Sequence, residues 1–97
     1  MICHVVLIRL KPALREEEVD AFLQRARDLL GPIPGVHNLH VGRTVREDAT
    51  HPLALVMEFD DQATLAAYQV HPEHQSFLAD IIGPIIEDKL ILDYEAP

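Results

Sequence analysis

Apolar residues recur along this chain with two periods, and each period predicts a different element. Ile2 to Leu10 is a run rich in Val, Ile and Leu and predicts a strand, which Lys11-Pro12 ends. Val19, Phe22, Leu23, Ala26, Leu29 and Leu30 then return at helical spacing and trace one face. Glu16, Glu17 and Glu18 lie at the start of that helix, with Arg25 and Arg27 toward its end, as the helix macrodipole favours. The acidic triplet reads as a solvated first turn. Gly31-Pro32-Ile33-Pro34-Gly35 breaks the chain. Val36 to Val45 predicts a second strand, residues 46–52 a polar connection, and Leu53 to Phe59 a third strand. Asp60 or Asp61 can cap a short helix carrying Leu65 and Tyr68. That helix should end near Val70 or His71, because proline disfavours helical geometry in the residue before it. Pro72 then suits the first position of another helix, with His71 as its cap. Phe77, Leu78, Ile81, Ile82, Ile85 and Ile86 repeat at threes and fours, and Gly83-Pro84 should kink or end the run. Leu90 to Glu95 is the last predicted strand.

The order β-α-β-β-α-α-β predicts an α+β fold over residues 1–97, one domain with a ferredoxin-like arrangement. Its four strands would form one antiparallel sheet with the helices on one face. Such a sheet normally alternates apolar inside and polar outside. Here Ile2, Val6, Ile8 and Leu10 share one face of the first strand, yet Cys3, Val5 and Leu7 make the other face apolar too. Leu53, Leu55 and Met57 likewise oppose Ala54 and Val56. Helices cover only one face, so a second copy of the same sheet is the simplest cover for the other. A homodimer with facing sheets, a dimeric α/β barrel, is the expectation.

Eight basic against sixteen acidic residues leave a net charge of −8, which repels phosphate backbones and anionic lipid. No nucleic-acid partner and no membrane partner are expected. The apolar run near the N-terminus is too short to span a bilayer, and its order relative to Arg9 and Lys11 is wrong for a signal peptide. Cys3 is the only cysteine and reads as a small buried strand residue. A cytoplasmic protein is expected.

Proton-transfer groups concentrate in Tyr68-Gln69-Val70-His71-Pro72-Glu73-His74, a phenol and two imidazoles within seven residues. They read either as an acid–base site or as groups that brace a helix junction. His4, on a central strand among apolar neighbours, is either a pocket base or a core histidine bonded to nearby backbone or to the final strand. His71 is a binding candidate and also a cap. His71 and His74 share a spacing that suits a metal, but no third ligand is evident, so no metal or other cofactor is expected. A period of two puts His37 and His40 on opposite faces of the second strand. His51 reads as exposed, and Arg43 as an exposed strand arginine or a contact for an acidic ligand. Phosphate loops, Cys-x-x-Cys and nucleophile elbows are absent.

The segment His4 to Lys11, the Pro34-Gly35-Val36 turn followed by Val41-Gly42-Arg43, the Tyr68…His71-Pro72…His74…Phe77 segment and the closing Asp93-Tyr94-Glu95 together resemble the stress-responsive dimeric α/β barrel (Dabb) domain, over residues 2–95. The resemblance implies a ferredoxin-like subunit and a barrel-forming dimer. In one plant branch of that family, cofactor-free polyketide cyclisation uses a tyrosine and a histidine at this helix junction beside a histidine on the first strand. By position these catalytic roles fall on Tyr68, His74 and His4. The same branch carries a histidine near the start of the third strand, where this chain has Leu53. Some members hold a divalent ion near the dimer interface, but its ligands do not map onto this sequence.

Two functional readings follow. One is a homodimer that binds an apolar, carbonyl-bearing small molecule, with cofactor-free cyclase-, isomerase- or lyase-like chemistry. The other is a non-enzymatic, stress-associated dimer or binding module. An open cavity reached by at least two of Tyr68, His71, His74 and His4 favours the first, and a filled interior the second. A haem-binding relative on the same barrel finds no support in a chain without tryptophan or an evident haem-ligand context.

Overall fold

A computed structural model describes residues 1–97 and shows one antiparallel sheet with helices packed on one face. The strands are β1 (Ile2–Leu10), β2 (His37–Arg43), β3 (Leu53–Phe59) and β4 (Ile86–Glu95). Their order across the sheet is β2-β3-β1-β4, so β1 lies in the interior and β4 at an edge. The helices are α1 (Glu16–Leu30), α2 (Gln62–Gln69), α3 (Pro72–Ser76) and a π-helical turn, α4 (Phe77–Ile82). This is the predicted ferredoxin-like arrangement. The helix-side face of β1 and β3 packs Ile8, Leu53, Met57 and Phe59 against Phe22, Ala26 and Leu30 of α1, all of them buried. Full burial of each large apolar side chain contributes about 1.5–3 kcal/mol.

Local chemistry explains the helix boundaries. The Asp61 carboxylate accepts from the Thr64 amide at 2.8 Å and caps α2. Pro72 occupies the first turn of α3, and His71 Nδ1 accepts from the Glu73 amide at 3.1 Å. Within α4 the Gly83 amide reaches back to the Leu78 carbonyl at 2.9 Å, a π-type bond. Gly35, at φ 93°, sits against Thr64, where a Cβ would come within 2.4 Å of the threonine methyl. Both the left-handed backbone and the close approach require glycine there.

Three expectations need correction. Ile85 and Ile86 do not continue the helix. Gly83-Pro84 ends it, and β4 starts at Ile86 rather than Leu90, its first turn of sequence being polar because it forms an edge. His37 and His40 lie on the same face. A register shift at Asn38, whose φ is 51°, pairs His37 with Glu58 and His40 with Val56, and the bulge adds one residue to the count of two. His51 is not exposed: its side chain is 9% accessible, with Nε2 on Asp88 at 2.8 Å and Nδ1 on Thr50 at 3.0 Å. Arg43 is the exposed strand arginine expected, and it bonds Glu16 at 2.7 Å and also Asp20, tying β2 to the solvated first turns of α1.

The face of the sheet away from the helices is apolar and open. Leu7, Leu90, Leu92 and Tyr94 are exposed there, and Val5, Ala54 and Val56 are half-buried. No helix of the chain is long and apolar enough to cross a membrane.

Candidate functional site

The predicted site residues come together because two elements end beside one another. Tyr68 lies in the last turn of α2 and points inward from the same face as Leu65, and it is 2% exposed. The break at Val70-His71-Pro72 leaves the Gln69 carbonyl without a helical partner. His74 Nδ1 donates to that oxygen at 3.0 Å, and the Gln75 side chain donates to it as well. A carbonyl can only accept, so Nδ1 carries the proton and the neutral ring presents the Nε2 lone pair. The Tyr68 and His74 rings then lie against each other with centroids 4.4 Å apart at 42°. The two rings pack in a tilted arrangement, with His74 Nδ1 committed to the backbone.

His4 approaches from the sheet. Its ring is buried, 6.1 Å from that of Tyr68 and edge-on to it. Antiparallel pairing sets His4 opposite Asp93 on β4, and Nδ1 donates to the Asp93 carboxylate. Nδ1–H is thereby fixed and Nε2 is left free as an acceptor, the arrangement in which a carboxylate orients a histidine base. It is also the bond to the final strand that one reading of His4 anticipated.

His4, Tyr68 and His74 line a cavity of about 80 Å³ between sheet and helices. Leu55, Met57, Phe77, Ile82 and Ile91 make most of the remaining wall, and Lys89 stands on it from β4. One water needs about 10–15 Å³ by this measure, so the space exceeds a hydration site. His71 does not line it, because its ring is spent on capping α3. Leu53 is buried in the core at 3% exposure and supplies no polar group. No cluster of three or more His, Cys, Asp or Glu side chains has a metal-binding arrangement.

Burial sets the protonation states. The Tyr68 phenol is pushed well above its ordinary value by desolvation alone, so it remains a donor throughout the physiological range. His74 is held below the ordinary histidine value, first by burial and to a lesser degree by its electrostatic interaction with His4 and Lys89. Its bond to Gln69 opposes the shift. A neutral imidazole and a protonated phenol thus face one apolar space, a pairing suited to removing a proton beside a carbonyl whose oxygen is held by a donor.

Asp93 and Lys89 were not anticipated as site residues. A period of two along β4 puts Lys89, Ile91 and Asp93 on one face, but only the β1–β4 register shows that this face meets His4. Lys89 also precedes the expected start of the strand.

A ferredoxin-like sheet, helices on one face and a pocket lined by His4, Tyr68 and His74 between them define a small α+β barrel-type domain. The chain belongs to the stress responsive A/B barrel domain (Dabb) family, whose model matches residues 2–96. It is 26% identical over 96 residues to olivetolic acid cyclase from Cannabis sativa, across 94% of this chain and 92% of the cyclase. A Dabb-family protein with a ferredoxin-like fold from Mesorhizobium loti superposes with a TM-score of 0.90 at 33% identity, covering 99% of this chain and 96% of that one. A dimeric ferredoxin-like protein of unknown function from Thermobifida fusca superposes at 0.84 with 27% identity, covering 98% and 90%.

Proposed function

We propose that this protein is a homodimer that binds an apolar, carbonyl-bearing small molecule and catalyses cofactor-independent proton transfer next to its carbonyl. The observation that carries the reading is the apolar cavity on which Tyr68, His74 and His4 converge. In this reading His74 Nε2 takes the proton from the carbon beside the carbonyl, that C–H bond breaks, and its electron pair moves toward the carbonyl oxygen. Tyr68 O–H donates to that oxygen as it becomes an enolate. His4, oriented by Asp93, is a second base on the other side of the same space. Such positioned acid–base help contributes about 10²–10⁴-fold in rate. The relationship to olivetolic acid cyclase supports cyclase- or lyase-like chemistry as the general class. Leu53 stands where the plant cyclases carry a further histidine, which favours simple enolisation over full ring closure.

The dimer follows from the open apolar face. Monomers seldom expose large contiguous apolar patches, and the T. fusca relative is dimeric. The test is α-proton exchange of 2-hexanone in D₂O, followed by proton NMR. Wild-type protein should accelerate exchange above buffer, and Tyr68→Phe and His74→Ala should lose that acceleration while remaining folded dimers. Absence of acceleration by the wild type favours the second reading, a non-enzymatic binding module. The backbone-bracing bonds of His71 and His74 are the observation on its side.

A further inference from the structure

Lys89 is the one side chain of permanent charge on the cavity wall. The chain has twice as many acidic as basic residues, and Arg9, Arg15, Arg43 and Arg46 are each matched with carboxylates, whereas Lys11, Arg25, Arg27 and Lys89 are not; of these four only Lys89 stands on the cavity wall. The carboxylates around it are engaged elsewhere: Glu87 with Arg9 at 3.8 Å, Asp88 with His51 at 2.8 Å, and Asp93 with His4. Asp88 also points from the opposite face of the sheet, since it pairs with Arg9. Asp93 shares the face of Lys89 but lies four residues along the strand, about 13 Å away at about 3.3 Å per residue. The Asp93 carboxylate is bonded to His4 and makes no ion pair with the ammonium. An unpaired cation beside an apolar space favours an anionic group on whatever enters it.

We propose that Lys89 anchors a carboxylate, and that the substrates of this pocket are small apolar oxo acids held with the acid group at Lys89 and the carbonyl between Tyr68 and the histidines. The proposal rests on the pocket reading above and narrows it from carbonyl compounds to acids. Polarity runs along the cavity in the same sense. Ile91 separates Lys89 from the His4–Asp93 pair along β4, so an apolar linker between the acid and the reacting carbon meets an apolar wall. Lysine on an edge strand also deters strand pairing with other molecules. That role needs a charge of either sign, whereas an anchor needs a positive one.

The experiment compares hexanoate with hexanamide, which matches it in length and lacks its charge. Binding is followed by NMR titration of the ring resonances of His4, Tyr68 and His74. Hexanoate should bind on the order of tenfold more tightly than hexanamide, as expected of a charge-assisted contact. Lys89→Met should remove the preference and leave hexanamide binding unchanged. Lys89→Arg should keep it, and Lys89→Glu, which preserves a charged edge, should reverse it. In ligand-free Lys89→Met the His74 titration should move upward, because a repelling positive charge has been removed. Equal binding of the two probes at these resonances overturns the acid preference and leaves the pocket reading intact. Perturbation of none of the three rings by either probe overturns both.

Discussion

The two faces of the sheet are both apolar, yet they are put to different ends. On the helix side, β1 and β3 bury Ile8, Leu53, Met57 and Phe59 almost completely, and the few polar groups present are individually held: His4 by Asp93, His74 by the Gln69 carbonyl. On the other side, Leu7, Leu90 and Leu92 stand open, with no element of the same chain above them. A face closed by its own helices can hold a polar group in a fixed protonation state, because the same chain supplies its partners. The polar residues that share the open face, His40 and Glu58 among them, must find partners or water when it is covered, since an unpartnered polar atom costs about 1–3 kcal/mol.

The sharpest way to break this contrast is Tyr68→Phe. Removing the hydroxyl should leave the melting temperature nearly unchanged while 2-hexanone exchange falls about 10²–10⁴-fold. Comparable losses of activity and stability would make Tyr68 a packing residue. Next comes a matched pair of truncations. Ile8→Ala on the helix side should cost about 2–5 kcal/mol in denaturant unfolding at any protein concentration. Leu92→Asp on the open face should instead shift sedimentation from dimer to monomer, with a loss of stability that grows with protein concentration, because only the associated state is affected. A concentration-independent loss for Leu92→Asp would mean that the open face stays open.

Smaller effects sharpen the site itself. Asp93→Ala leaves buried His4 without its acceptor and should cost about 1–3 kcal/mol, read by thermal unfolding. Asp93→Asn keeps an acceptor oxygen and should recover part of that loss. The smallest effect is the acid limb of activity. His74 is depressed in the folded protein, first by burial, so it stays neutral below the pH at which an ordinary histidine protonates. The acid limb of exchange should therefore lie below pH 6.5. For stability the sign is opposite: the unfolded chain binds the proton first, so the His74 contribution is lost as pH falls from 6.5 toward the folded value. His4, Lys89 and Tyr68 are the titratable groups facing His74, and a limb that persists unchanged in His74→Ala would remove His74 from the role of base.

Much of this site was legible before any coordinates. Pro72 both ends one helix and starts the next, and that local rule is enough to put Tyr68, His71 and His74 at a junction. Division of labour between the two histidines was not legible. His71 caps α3 through Nδ1, whereas His74 bonds the Gln69 carbonyl and lines the cavity, a division that only the helix geometry settles. Asp93 illustrates the other limit. Its place beside His4 depends on strand pairing across 89 residues of sequence, which no local pattern records. His37 and His40 failed for a related reason, since a bulge at Asn38 adds a residue that the period of two cannot anticipate.

Residue by residue, the sequence alone determined the kind of element at nearly every position, the order β-α-β-β-α-α-β and the presence of two apolar sheet faces, because periodicity and turn chemistry act between near neighbours. The tertiary structure decided which polar groups meet. It paired His4 with Asp93, shaped the cavity under Tyr68 and left Lys89 on its wall without a partner, because these contacts depend on strand register and side-chain direction between segments far apart in the chain.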